Sequence, residues 1–178
     1  MSVVALISIT LSMTAVVGTL GVIALIPNEA AAQQQEHKPQ EEQEFDALLA
    51  GSFEVPPVNN TSGSGFGELG VVDNGNTVEY KITVINMENV TKAHIHLGNS
   101  SQAGPIVASL LNASTQTGPI IGELTEGNIT SADLVGPLQG KPLSDLITLM
   151  QNGTAYVNVH TAQNPEGEIR GAIVLDTD

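Results

Sequence analysis

The chain has 178 residues, no Cys, and five Lys and Arg against 19 Asp and Glu. That balance makes nucleic acid an unsuitable partner, because an acidic surface repels a polyanion, and the missing thiols exclude a disulfide framework and thiolate metal sites. Three Phe, two Tyr and no Trp leave a core of Val, Ile, Leu and Ala, which suits thin, closely packed β layers.

Val3 to Ile26 carries no charge and is mostly apolar, and the small residues Ala30, Ala31 and Ala32 come after it. Residues 1–32 therefore read as a signal peptide cleaved near Ala32. No Lys or Arg precedes the run, and at about 20 residues it is long enough to cross a bilayer, so an uncleaved membrane anchor through residues 3–26 is the alternative. Both readings place the rest of the chain outside the cytoplasm, secreted or anchored at the surface. Only Glu29 of the charged residues lies in this segment, so residues 33–178 carry five basic and 18 acidic residues, a net charge of −13. Residues 33–44 are rich in Gln and Glu and contain His37; such a stretch buries too little apolar surface to fold and is expected to be a flexible linker.

Residues 45–176 then give strand signals at short intervals, with Gly, Asn and Pro between them, the pattern of an all-β, immunoglobulin-like or Greek-key sandwich or barrel. Gly65 to Val72 leads through Asp73, Asn74, Gly75 and Asn76, a turn sequence that tolerates positive φ, into Thr77 to Ile85. In that second strand Val78, Tyr80, Ile82 and Val84 alternate with Thr77, Glu79, Lys81 and Thr83, so one face is core and the other wet. Further strands are expected at Lys92 to Leu97, Ile106 to Leu111, Ile120 to Leu124, Ala155 to Thr161 and Glu168 to Leu175. A long connection holds one or two short helices: Thr130 to Val135 suggests a turn, and Pro142 to Gln151 carries Leu143, Leu146, Ile147, Leu149 and Met150 at helical spacing, with Gly153 as a stop. Sequons begin at Asn59, Asn60, Asn89, Asn99, Asn112, Asn128 and Asn152, mostly at loops, which makes an exported chain a candidate glycoprotein.

Chemistry is confined to a few residues. His94 and His96 lie in a strand whose apolar set is Ala93, Ile95 and Leu97, and His160 in one whose apolar set is Val157 and Val159. Parity turns the three imidazoles, and Asn158 with them, outward from the core. Glu168 and Arg170 stand opposite Ile169, Gly171 and Ile173 by the same count. Two imidazoles at i and i+2 plus a third from a neighbouring strand make a three-nitrogen site for one copper ion, with zinc as the alternative, if the two strands are adjacent. The blander reading is that these His bond loop carbonyls and one another, and that Glu168 and Arg170 form an exposed ion pair. Glu54, beside two prolines, is a candidate buried carboxylate for Arg170. No nucleophile elbow, phosphate-binding loop, zinc-protease helix or paired carboxylates are present, so hydrolase and nucleotide readings have no residues behind them, and no catalytic residue is assigned.

Three ordered motifs carry a family resemblance. Gly51-Ser52-Phe53-Glu54-Val55-Pro56-Pro57, Ala93-His94-Ile95-His96-Leu97-Gly98, and Gly153 through Thr161 followed by Pro165-Glu166-Gly167-Glu168-Ile169-Arg170-Gly171 together resemble the CHRD domain of chordin and of microbial surface proteins. The resemblance spans Phe45 to about Leu175 and implies an immunoglobulin-like β fold on a secreted or surface protein, with no established reaction. A weaker likeness runs to copper-zinc superoxide dismutase, to which His94, His96, His160 and Arg170 are similar in type and order. The bridging His, the zinc ligands and the disulfide of that family have no counterparts here. Three functions stay open: a binding module holding a copper-class ion through His94, His96 and His160 with Asn158, Glu168 and Arg170 as supporting or anion-contacting groups; a structural or adhesion module whose protein or glycan partner is unspecified; and a copper-only dismutase-like oxidoreductase.

Overall fold

The computed structural model describes residues 42–99, 101–113 and 118–177. The apolar segment at 3–26 and His37 lie outside these residues. Among them the elements are β1 (Gln43–Ala50), β2 (Ser64–Val72), β3 (Thr77–Glu88), β4 (Val90–Leu97), β5 (Ile106–Leu111), β6 (Pro119–Ile129), α1 (Leu143–Gln151), β7 (Ala155–Thr161), β8 (Ile169–Ala172) and β9 (Val174–Leu175). The fold is all-β, as the alternation predicts.

Several boundaries differ from the sequence expectation: β3 runs on to Glu88, β4 begins at Val90 and β6 spans Pro119–Ile129, and two further differences bear on how the sheet is joined. β1 begins at Gln43, inside the expected linker, because backbone pairing to Val71 and Gly70 makes no demand on the polar side chains of Gln43 and Glu44. The expected strand from Glu168 to Leu175 is broken at Ile173, whose N–H donates to the Ala155 carbonyl at 3.0 Å while its side chain is fully buried. The break lets β8 meet β1 at Ala50 and β9 meet it at Phe45 and Asp46.

The strands form one antiparallel sheet in the order β5, β4, β7, β8, β1, β2, β3, β6, with β9 beside β1. Its two end strands come together, which curls the sheet into a nearly closed barrel. The hydroxyls of Tyr80 in β3 and Thr125 in β6 both donate to the Leu110 carbonyl of β5, at 2.8 and 3.1 Å. Gly127, opposite Tyr80 in the ladder, leaves the room this needs, since a Cβ there would stand 2.7 Å from the Tyr80 oxygen. Beyond β6, a turn at Ser131–Asp133 is fixed by Thr130 and Asp133 capping each other, and it delivers Leu134 to a bridge with Ala108 of β5.

The interior is filled by one side-chain set from each of β1 to β8, including Phe45, Leu49, Leu69, Ile82, Ile95, Val157 and Ile169. α1 lies over β7 and β9, burying Leu143, Leu146, Ile147 and Met150. Gly153 comes next at φ 64°, where a side chain is disfavoured, and Thr154 then turns directly into β7.

Candidate metal centre

β4 and β7 are neighbours, and this adjacency converts sequence spacing into a site. In their ladder His94 faces Asn158, His96 faces Tyr156 and Lys92 faces His160. β8 continues the row, with Arg170 opposite Asn158. One face of three strands thus carries His94, His96, Tyr156, Asn158, His160 and Arg170.

Parity correctly turns this face away from the barrel core, but it is not wet. His94, His96 and His160 are 7, 8 and 7% exposed, because two loops lie across them. The loop after β4 folds back so that the Gly104 carbonyl accepts from His96 Nδ1 at 2.9 Å, while the Gly104 N–H donates to the Tyr156 hydroxyl at 3.0 Å. A Cβ on Gly104 would stand 1.6 Å from the Leu97 carbonyl oxygen, so only glycine allows this closeness. The loop after β7 brings the Pro165 carbonyl to His160 Nδ1 at 3.0 Å.

Those carbonyls only accept, so Nδ1 carries the proton in His96 and His160 and Nε2 keeps a lone pair. His160 Nε2 stands 3.2 Å from His94 Nδ1. His96 Nε2 is buried with no partner, an omission that costs about 1–3 kcal/mol for an ordinary buried polar atom. One ligand nitrogen from each ring lies within 4.8 Å of the others. Two ligands of one ion at bonds of about 2.0–2.1 Å stand roughly 3–3.6 Å apart, so the His94 and His160 pair is already at coordinating distance and His96 needs a small approach. Three neutral imidazoles with an orphaned lone pair fit a copper-class or zinc ion.

Burial lowers all three imidazole pKa values, and for His94 the nearby His160, His96 and Lys92 add to it, holding it at about 4. A His whose folded value lies below the ordinary 6.5 takes up protons more readily when unfolded. The stability it contributes is therefore complete above about 6.5 and is lost as pH falls toward the folded value. Metal-free protein should melt at progressively lower temperature between pH 6.5 and 4, and more steeply than a variant with all three His replaced by Gln. Parallel curves would show that these rings are not the groups being charged.

The remaining residues take different places. Asn158 is 3% exposed and its Oδ1 has no partner. Glu168 is buried rather than exposed and points to neither imidazole nor guanidinium: Thr61 donates to it at 2.6 Å, Thr161 at 2.6 Å and Asn164 at 3.0 Å. Burial alone would raise its pKa, but these three hydrogen bonds prevail and hold it below the usual carboxylate range. Arg170 is 2% exposed and sits 4.1 Å over the Tyr156 ring, which stacks in turn on His96 at 5.0 Å. It donates to the Asn99 and Gln102 carbonyls. No exposed ion pair joins Glu168 to Arg170, because each is buried among other partners. Glu54, delivered by a turn at Gly51–Phe53, is 6% exposed, and burial raises its pKa to about 7 against the opposing pull of Arg170.

Tyr156 and Gly104 are site residues that sequence reasoning misses. Tyr156 shares the parity of Asn158 and His160, so alternation along β7 is a signal that could find it. Gly104 has no such signal, because its role comes from a loop returning over the strand.

A buried trio of imidazoles on one face of an antiparallel barrel defines a β-domain with a candidate metal centre. The CHRD domain family matches residues 45–173, and the chain belongs to that family. No curated protein and no solved structure matches it. Among the described residues, no helix is long and apolar enough to cross a membrane.

Proposed function

We propose that this chain is an extracytoplasmic CHRD-domain module that holds one copper-class ion through His94 Nδ1, His96 Nε2 and His160 Nε2. The observation that carries this reading is the buried, partnerless Nε2 of His96, aimed by the Gly104 carbonyl into a group where one nitrogen from each of three rings lies within 4.8 Å. Arg170, Asn158 and Glu168 surround the ligands: Glu168 ties down the loop that positions His160, and Arg170 supplies positive charge to anions near the site. Zinc fits the same nitrogens. A copper titration of the chain carrying His37→Ala tests this. One ion with three imidazole nitrogens is expected; weak uptake equal to that of a triple His variant would overturn it.

A second reading is favoured by the hydrogen bonds from His96 to Gly104 and from His160 to Pro165. They latch two loops without any ion, which is what a structural or adhesion module needs. CHRD domains are extracellular-type modules, and Asn59, Asn60, Asn99, Asn112, Asn128 and Asn152 are exposed while Asn89 is half-buried, so a glycosylating host has access to most sequons. Mature protein should begin near Gln33. N-terminal sequencing that instead finds Met1 would establish the anchored alternative.

A further inference from the structure

Arg170 carries a buried positive charge that no carboxylate touches among the described residues, although Glu54 lies near enough to feel it. Among the described residues no carboxylate oxygen comes within 4.0 Å of it; the ion pair at that distance is Lys81 with Glu123. Its hydrogen bonds go to the neutral carbonyls of Asn99 and Gln102. Buried charges are ordinarily paired, because removing an ion from water is expensive.

Beside it opens a cavity of about 540 Å³, within the range of small-molecule sites. Arg170, Tyr156 and Glu54 form part of its lining, and the exposed apolar side chains of Leu48, Phe53, Val55 and Val174 form another part. A large apolar wall with a few polar groups is the usual composition of a ligand pocket, and exposed apolar residues gathered around one concavity mark a contact surface.

We propose that this cavity binds a small monocarboxylate with an apolar body, its carboxylate neutralising Arg170 and its hydrocarbon part lying against Phe53, Val55, Leu48 and Val174. The proposal does not require a metal, since none of the three His lines the cavity, although Arg170 and Tyr156 connect its wall to His96. Glu54 does not compete strongly for the guanidinium: its pKa of about 7 leaves it largely protonated in mildly acidic solution, and its buried Oε1 has no hydrogen-bond partner. A dianion is disfavoured, because one guanidinium supplies one charge.

The test uses the full chain freed of metal with a chelator, so that any carboxylate is read on Arg170 and not on an ion. Hexanoate and benzoate, titrated at pH 6 and followed by amide chemical shifts, should bind saturably, with shifts centred on Phe53, Val55 and Arg170. Hexanamide and benzamide keep the shape and lose the charge, and they should bind about tenfold more weakly, the size expected for a charge-assisted hydrogen bond. Acetate, which lacks the apolar body, should bind weakly as well. Arg170→Gln should abolish the preference for acid over amide. If that variant fails to fold, Val55→Asp at the exposed rim removes an apolar contact from both ligands and also puts a like charge in the path of the acid, so it should weaken hexanoate about tenfold more than it weakens hexanamide. Equal affinity for acids and amides, acid binding unchanged in Val55→Asp, or no saturable binding of either acid would each overturn the proposal.

Discussion

Replacing any one of His94, His96 and His160 with Ala should weaken Cu(II) binding severely, by more than the roughly 10–100-fold that loss of an outer-shell partner costs a metal site. The three rings are the whole set: each supplies one nitrogen, and no Asp, Glu or other His among the described residues joins the group. An ion that loses one of three protein ligands has too few left to outcompete water. Arg170→Ala should leave copper affinity largely intact, because the guanidinium rests on the Tyr156 ring and bonds loop carbonyls, acting on His96 as a nearby charge and supplying no ligand. The pH profile gives an independent check. Protons compete for the same nitrogens near about 6.5 in an ordinary imidazole, but His94 sits at about 4 and the other two are also lowered. Copper should therefore stay bound below pH 6.5 and be released as pH approaches 4. Calorimetry on the His37→Ala chain and its three single variants reads all of this. Single variants that match the parent would remove the site and leave the loop-latching role, while a redox-active copper in the parent would justify a dismutase assay.

Val157→Asp should unfold the protein. Val157 lies at the middle of β7, fully buried, paired to Ile95 on one side and Gly171 on the other. No cation lies on that core face among the described residues, so the new carboxylate would be buried unpaired, a change in the class that costs more than about 4 kcal/mol against a total stability of about 5–15 kcal/mol. Lys81→Glu provides the contrast. Its side chain is 47% exposed and its pairing with Glu123 at 3.7 Å is a surface contact, worth about 1 kcal/mol or less. Far-UV circular dichroism should therefore find Val157→Asp unfolded at 25 °C and Lys81→Glu folded. The opposite outcome would mean that the strand faces are assigned backwards, and the placement of the imidazoles would fall with them.

Strands, turn and helix were legible because each is written in a short window. The alternation of Val78, Ile82 and Val84 with charged neighbours needs only one strand to read, and Asn74 adopts the positive φ of 55° that its turn sequence suggests. The site is different in kind. His94 and His160 are 66 residues apart, and nothing local says that β4 pairs with β7, a pairing decided by how the whole sheet is ordered. Parity could state that the imidazoles leave the core, but not that Gly104 and Pro165 would cover them, because those contacts come from loops whose paths have no periodicity. The same limit hid the burial of Glu168 and Arg170. Both sit on the face that alternation marks as exposed, and both are enclosed by segments that come from elsewhere in the chain: Thr61 and Asn164 close over Glu168, and Asn99 and Gln102 over Arg170.

The joint between β5 and β6 differs from the other strand neighbours. Most neighbouring strands share a run of backbone hydrogen bonds, with β1 meeting β8 at one pair, whereas here two hydroxyls converge on the single Leu110 carbonyl and one bridge joins Ala108 to Leu134. Bringing the two end strands together shields edges that an open sheet would offer to a second copy. The closure is also a weak line in the wall, since few bonds must break together to part it. β5 lies directly against β4, which bears two of the imidazoles. A hinge at this line would let the barrel breathe beside the strand of His94 and His96 while the ladders of β1, β2 and β3 stay shut.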